Sequence, residues 1–294
     1  LNTLNLAAEY VQQTKELETR FMALVKRLKA AYDICAGSEQ LTQSERDYTH
    51  FYLAVRSIVF KLTKGNAPDT AQMNTKVREM IKEALQSDGV EEIFKLSEEA
   101  ETEQDIFDED YLAKIEKIKL PNTKIKLLQQ LLAKVIGEIR KVNKVKGIDF
   151  SKKMQALVER YNNRDANDIL RSEVYEEMAN ALTDLIWEVH KEFSAGDELG
   201  IDFQEKAFYD ILKELCIKYD FKYPDDKMIE LAKAVKDLVD GQAKFPDWNK
   251  RDDIKSALKV GLILLLDEFG YPPVERDEVY IEIFEQAENF KKNN

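Results

Sequence analysis

From Leu4 almost to the end of the chain, apolar residues recur every three or four positions, and few glycines or prolines interrupt them. That spacing gathers apolar side chains on one face of a helix. The first run, Leu4, Tyr10, Val11, Leu17, Phe21, Leu24, Val25 and Leu28, predicts one helix closed by Gly37-Ser38. A second runs from Thr42 to Leu62, and a third starts at Pro68, where a missing N–H costs nothing, and carries Met73, Val77, Ile81 and Leu85. Pro121 opens a helix through Leu128, Leu132, Val135 and Ile139 that Gly147 breaks, after which Phe150-Ser151 caps a short helix to Tyr161. Later helices run from Asn163 to Gly196, from Ile201-Asp202-Phe203 onward, from Pro224 to near Gly241, from Asp247-Trp248 to Gly270, and through Val279 and Ile283. No stretch alternates with period two, and there is no internal repeat or sustained heptad seam. The predicted fold is all-α, an irregular multi-helix array of about ten helices in two lobes. Its boundaries are a helical lobe at 1–95, an acidic connector at 96–120 and a second helical lobe at 121–294.

Ten glycines and six prolines in 294 residues are too few for a parallel α/β enzyme, whose tight turns and phosphate loops consume both. Two histidines and two cysteines disfavour a metal centre or a disulfide framework, and sparse thiols suit a reducing compartment. The longest apolar run, Val260 to Leu266, is far short of the ~20 residues a bilayer requires. No basic segment leads into an apolar core at the start, so the expectation is a cytoplasmic protein that does not engage a membrane. A helical pattern already running by Leu4 reads as a piece of a longer polypeptide.

The formal charge of −12 hides a sharp local contrast. Asp88 to Glu116 carries a net −10, whereas Lys117 to Arg164 carries +10, and everything else sums to −12. The acidic stretch reads as a surface connection. Within the basic stretch, Lys134, Arg140, Lys141, Lys144, Lys146, Lys152, Lys153 and Arg164 are enough cations to neutralise several phosphates or meet an acidic partner. An ordinary solvated face, or one paired internally with the preceding acids, would look the same in sequence. Aromatics are not interleaved with these cations, so base stacking is not indicated.

No motif supplies a reaction centre. Leu262 to Leu266 followed by Asp267-Glu268 has the form of the apolar strand and acidic pair that holds magnesium in nucleotide hydrolases, yet no Gly-x-x-x-x-Gly-Lys-Ser/Thr accompanies it. The run also continues a helical pattern and reads as a buried helix end. Pro224-Asp225 with Asp253-Ile254-Lys255 resembles the acid, acid-x-lysine arrangement of metal-dependent nucleases, but both lie at helix starts, where Asp commonly caps. His50 and His190 have no second ligand at metal spacing, and no serine or cysteine sits in a nucleophile elbow. Catalytic, metal and cofactor residues are therefore all expected to be absent.

A series of phrases is more specific. Phe21-Met22-Ala23-Leu24-Val25-Lys26-Arg27-Leu28, Ser87-Asp88-Gly89-Val90-Glu91-Glu92-Ile93-Phe94 and Phe150-Ser151-Lys152-Lys153-Met154 with Arg160-Tyr161-Asn162-Asn163-Arg164 occur in order. Glu198-Leu199-Gly200-Ile201, Ala207-Phe208-Tyr209-Asp210, Trp248 with Arg251, and Tyr271-Pro272-Pro273 follow. Together they resemble the C-terminal helical region of the R (HsdR, restriction and translocation) subunit of type I restriction enzymes, over nearly the whole chain. The resemblance implies a part of a subunit that elsewhere carries a nuclease domain and an ATP- and magnesium-dependent DNA motor. It implies a docking role toward the methyltransferase and specificity subunits, with DNA contact through the basic 117–164 face as the alternative. Trp248, Arg251, Lys255 and Tyr271 are the docking candidates it suggests. One departure stands out: the segment after Trp248 is typically basic in the family, whereas here it reads Gly261 to Glu268. Either Lys250, Arg251, Lys255 and Lys259 alone meet a partner, or the apolar face is buried or docks.

Overall fold

A computed structural model describes residues 3–36, 38, 40–64, 79–84, 109–165, 168, 171–242, 251–274 and 277–293. Most of the predicted third helix, residues 96–108 of the acidic connector, and Trp248 with Lys250 lie outside the described residues. The described residues hold α1 (Thr3–Val11), α2 (Lys15–Cys35), α3 (Gln43–Lys64), α4 (Glu109–Glu116), α5 (Pro121–Val142), α6 (Lys144–Asn162), α7 (Ser172–Leu199), α8 (Phe203–Lys218), α9 (Asp225–Gln242), α10 (Asp252–Glu268) and α11 (Asp277–Asn293). Residues 79–84 are also helical, and no strand occurs among the described residues. The chain is all-α, as the periodicity requires.

Several boundaries move from their expected places, each for a local reason. The first run is two helices: the chain breaks at Thr14, whose extended backbone lets its side chain accept from Leu17 N at 3.1 Å and cap α2. The break expected at Gly147 falls instead at Asn143, whose Oδ1 accepts from Lys146 N at 3.1 Å and caps α6. Gly147 lies inside α6 because a Cβ there would come within 2.5 Å of Arg140 Cα, so glycine lets α5 and α6 close on each other. Phe150-Ser151 is consequently mid-helix rather than a cap. Gly196 does not end α7 either. The helix runs to Leu199 and stops at Gly200, whose φ of 65° suits a residue without a Cβ. Asp202 and Glu205 then form a reciprocal capping box on α8, worth about 1 kcal/mol.

The chain divides into two compact units, Leu1–Leu132 with Met154–Ile186, and Ala133–Lys153 with Trp187–Asn294. In the first, α1 packs on α3, and Leu4, Ala8, Val55, Ile58, Val59, Leu62, Ile115, Ile125, Leu128 and Leu182 are buried. The N-terminus of α5 is finished by a residue far away in sequence. The Glu9 carboxylate accepts from the backbone N–H groups of Asn122 (2.6 Å) and Thr123 (3.0 Å), which no residue of α5 itself can satisfy. Burial pushes the Glu9 carboxyl above its usual value, against the lowering effect of those bonds.

The core of the second unit is formed by α8 to α11, with Phe208, Leu212, Leu215, Leu231, Val235, Val239, Leu258, Leu262, Leu266, Ile283 and Phe290 buried together. Each such side chain contributes roughly 2 kcal/mol on removal from water, before chain entropy is subtracted. The rings of Phe208 and Phe290 meet edge to face at 5.4 Å. Tyr271 lies 1% exposed between Phe221 and Tyr223, and its hydroxyl donates to Leu212 O at 2.6 Å.

Candidate functional site

The basic stretch is resolved residue by residue, and most of its cations have partners. Its side chains from Lys134 to Lys153 belong to the second unit, whereas Arg164 belongs to the first. Lys141 pairs with Glu138 one turn back at 2.6 Å, and Lys144 reaches Glu285 of α11 at 2.8 Å. Lys146 lies 3.2 Å from Glu192 of α7. Lys153 bonds Glu188 of α7 and lies 3.6 Å from Asp149; the Glu188 bond holds its ammonium above the ordinary lysine range. The acids that neutralise this face come from α7 and α11, in addition to its own Glu138 and Asp149. Lys134, Arg140 and Lys152 are exposed, and among the described residues the Arg140 and Lys152 side chains have no ion-pair partner.

Arg164 is a structural group. Its guanidinium stacks 3.8 Å above the Tyr161 ring, donates to Tyr161 O at 2.6 Å, and also donates to Gln13 O. The Tyr161 hydroxyl in turn donates to Asn122 Oδ1 at 2.6 Å, and burial raises its pKa well above the tyrosine range. This chain of contacts fixes the α6 terminus inside the first unit.

The docking candidates part company in the same way. Tyr271 is inside the core and presents no surface. Arg251 is engaged by Asp253, at 2.6 Å from Nη2 and 3.2 Å from Nε, and Lys255 by Glu288 at 3.4 Å. Lys259 sits 4.6 Å above the Phe284 ring. These cations are thus held by α10 and α11. What α10 does present is apolar: Val260, Ile263 and Leu264 are 56%, 49% and 64% exposed, although Ile254, Leu258, Leu262 and Leu266 on the opposite side are buried. The run from Leu262 to Glu268 is a helix end, as its periodicity indicates, but it is not buried as expected: only Leu262 and Leu266 are buried, whereas Ile263, Leu264 and both acids lie in solvent.

Asp225 faces Lys213 (3.8 Å), and Asp253 faces Arg251, each locally paired at a helix start. His50 is buried against Tyr32 (3.3 Å from the hydroxyl to Nε2), and His190 meets the Trp187 ring edge to face. Among the described residues no group of His, Cys, Asp and Glu side chains could hold a metal ion.

Two polar constellations in the second unit escape sequence reasoning. In the first, Lys206, Asp210 and Asn143 are buried together: Lys206 bonds Glu192 and Asp210 (2.9 Å), and Asn143 Nδ2 donates to Asp210 at 2.7 Å. Burial alone would lower the Lys206 pKa, but the Asp210 and Glu192 carboxylates outweigh it and hold the ammonium above its ordinary range. In the second, α11 satisfies the last carbonyls of α5. Gln286 donates to Val142 O (2.8 Å) and accepts from Lys144 N (3.1 Å), while Asn289 donates to both Arg140 O and Lys141 O at 3.0 Å. Amides at 286, 289 and 293, three and four apart on one helix face, were the available signal.

Among the described residues the chain is a strand-free helical array in which Lys141, Lys144, Lys146 and Lys153 meet carboxylates and Val260, Ile263 and Leu264 face solvent. The chain belongs to the family described as "Type I restriction enzyme HindI endonuclease subunit-like, C-terminal", which it matches over residues 1–293. It is 22% identical to the Type I restriction enzyme HindI endonuclease subunit of Haemophilus influenzae over 95% of this chain. It is 23% identical to the putative type I restriction enzyme MjaIXP endonuclease subunit of Methanocaldococcus jannaschii over 96% of this chain. It spans about a quarter of each relative, 26% of its length. No solved structure matches it. The resemblance carried by the ordered phrases is thereby borne out.

Proposed function

We propose that this chain is a non-catalytic docking region that attaches the motor and nuclease parts of a type I restriction endonuclease subunit to its methyltransferase and specificity partners, in the cytoplasm. The observation that supports this reading most directly is the exposed apolar stripe of α10, in a chain whose family is the C-terminal part of such subunits. Translocation and cleavage, with their ATP and magnesium, fall to other parts of the subunit. Mixing the purified chain with the cognate methyltransferase–specificity core and following co-elution tests the proposal. The expected result is a complex at micromolar concentration; separate elution overturns it.

A second reading, contact with duplex DNA, draws on the exposed Lys134, Arg140 and Lys152. Affinity would then fall steeply with salt. Replacing Arg140 and Lys152 by Gln would weaken it, whereas replacing the internally engaged Lys146 would act through folding instead.

A further inference from the structure

The outward face of α10 has a definite chemistry. Around the helix, Asp253, Ser256, Ala257, Val260, Ile263, Leu264, Asp267 and Glu268 all lie in solvent, opposite the buried Leu258 and Leu262. The apolar side chains hold the middle of this stripe and acids hold its ends. The stripe spans about 24 Å at 1.5 Å per residue, four turns or so of an opposing helix.

Its cations are already engaged. Asp253 and Glu288 hold Arg251 and Lys255, and Lys259 lies over Phe284, so none projects freely from the stripe. Asp267 and Glu268 are the opposite case: among the described residues neither has an ion-pair partner. They also close the C-terminal end of α10, where the helix dipole disfavours negative charge. A partner bringing a cation there relieves both costs.

We infer that this face receives an amphipathic helix of a partner protein, with an apolar stripe laid along Ala257, Val260, Ile263 and Leu264 and Lys or Arg opposite Asp267 and Glu268. A second copy of this chain is a poor occupant. Antiparallel pairing sets Asp267 and Glu268 against an Asp253 that already takes up the Arg251 charge, which leaves no spare cation for them, and parallel pairing sets them against themselves. Phosphates and anionic lipid headgroups meet the same repulsion. The inference rests on the docking reading and names the chemistry of that surface.

Two double variants of the protein, tested against the cognate methyltransferase–specificity core, separate the possibilities. Val260→Ser with Leu264→Ser removes apolar contact at exposed positions and should weaken association at least about tenfold without lowering the unfolding temperature. Asp267→Lys with Glu268→Lys places cations where the helix dipole favours them, so a loss cannot be ascribed to unfolding. That variant should also bind several-fold more weakly, with the difference shrinking as salt rises. If the unaltered protein binds and both variants bind equally well, this inference is wrong and the docking reading stands. Tighter binding by the lysine variant, or self-association of the unaltered protein through this face, likewise overturns the inference. If the unaltered protein does not bind, both fall.

Discussion

Replacing Lys206 by Met tests whether the polar cluster in the second unit is an energetic necessity of that core. Lys206 is 5% exposed and is the cation between Asp210, 2.9 Å away, and Glu192. Removing one member of a buried ionic group strands the rest, at about 3–5 kcal/mol. Lys146, 3.2 Å from Glu192, keeps a second cation on that carboxylate, which leaves Asp210 as the main loser. The expected loss is therefore near the lower bound, about 3 kcal/mol. That corresponds to roughly 6–12 °C in unfolding temperature for a unit of this size. Urea unfolding should show a lower midpoint with an unchanged slope. Methionine preserves most of the aliphatic stem, so lost packing cannot supply such a figure. Changing Asp210→Leu in addition should recover part of the loss, since the stranded charge is gone. The ammonium's pKa is raised in the folded chain, so its contribution is complete below the unfolded lysine value and disappears as pH rises through the folded one. The unaltered protein should accordingly lose stability more steeply than Lys206→Met in the alkaline range. A loss under about 1 kcal/mol, with no alkaline difference, would refute the reasoning.

Three further outcomes follow from the packing. Gly147→Ala should cost about 1–3 kcal/mol in thermal unfolding, because its methyl would lie 2.5 Å from Arg140 Cα and α5 and α6 would have to separate. Gln286→Leu should leave Val142 O and Lys144 N without their partner at about 1–3 kcal/mol, and hydrogen exchange at Lys144 should quicken. Glu9 has its pKa raised by burial, so its favourable contribution is present below the unfolded carboxyl value and is lost as pH rises through the folded one. The stability of the unaltered protein relative to Glu9→Gln should fall across that acidic window; a relative rise would contradict the account.

Helix identity was written in the local pattern, because three-and-four spacing with scarce glycine leaves a helix as the conformation that gathers the apolar side chains. Buried positions such as Leu128, Leu132, Val135 and Ile139 follow from the same pattern, whereas Ile263, which the spacing also placed on an apolar face, lies in solvent. Helix ends were less accessible. Gly147 and Gly196 look like punctuation in sequence, but each is a small residue needed where another backbone passes close, at Arg140 and at Ile201. Asn143, an unobtrusive residue beside valine, makes the actual break because its side chain caps α6 while bonding Asp210. The ordered phrases sufficed to suggest the family, since order and spacing are properties of the chain alone.

The fate of each charge belonged to the tertiary structure. A run of lysines carries the same formal charge whether it faces solvent or a carboxylate from a distant helix. Glu285, Glu192 and Glu188 lie from 35 to 141 positions away from the lysines they meet, beyond the reach of any local pattern. Folding alone set Lys141, Lys144, Lys146 and Lys153 against carboxylates, drew Tyr271 inside, laid Arg164 over the Tyr161 ring, and left Val260, Ile263 and Leu264 in water. Periodicity records how a helix divides its own sides. Which side meets protein and which meets solvent is decided by the helices around it, and on α10 they cover only one.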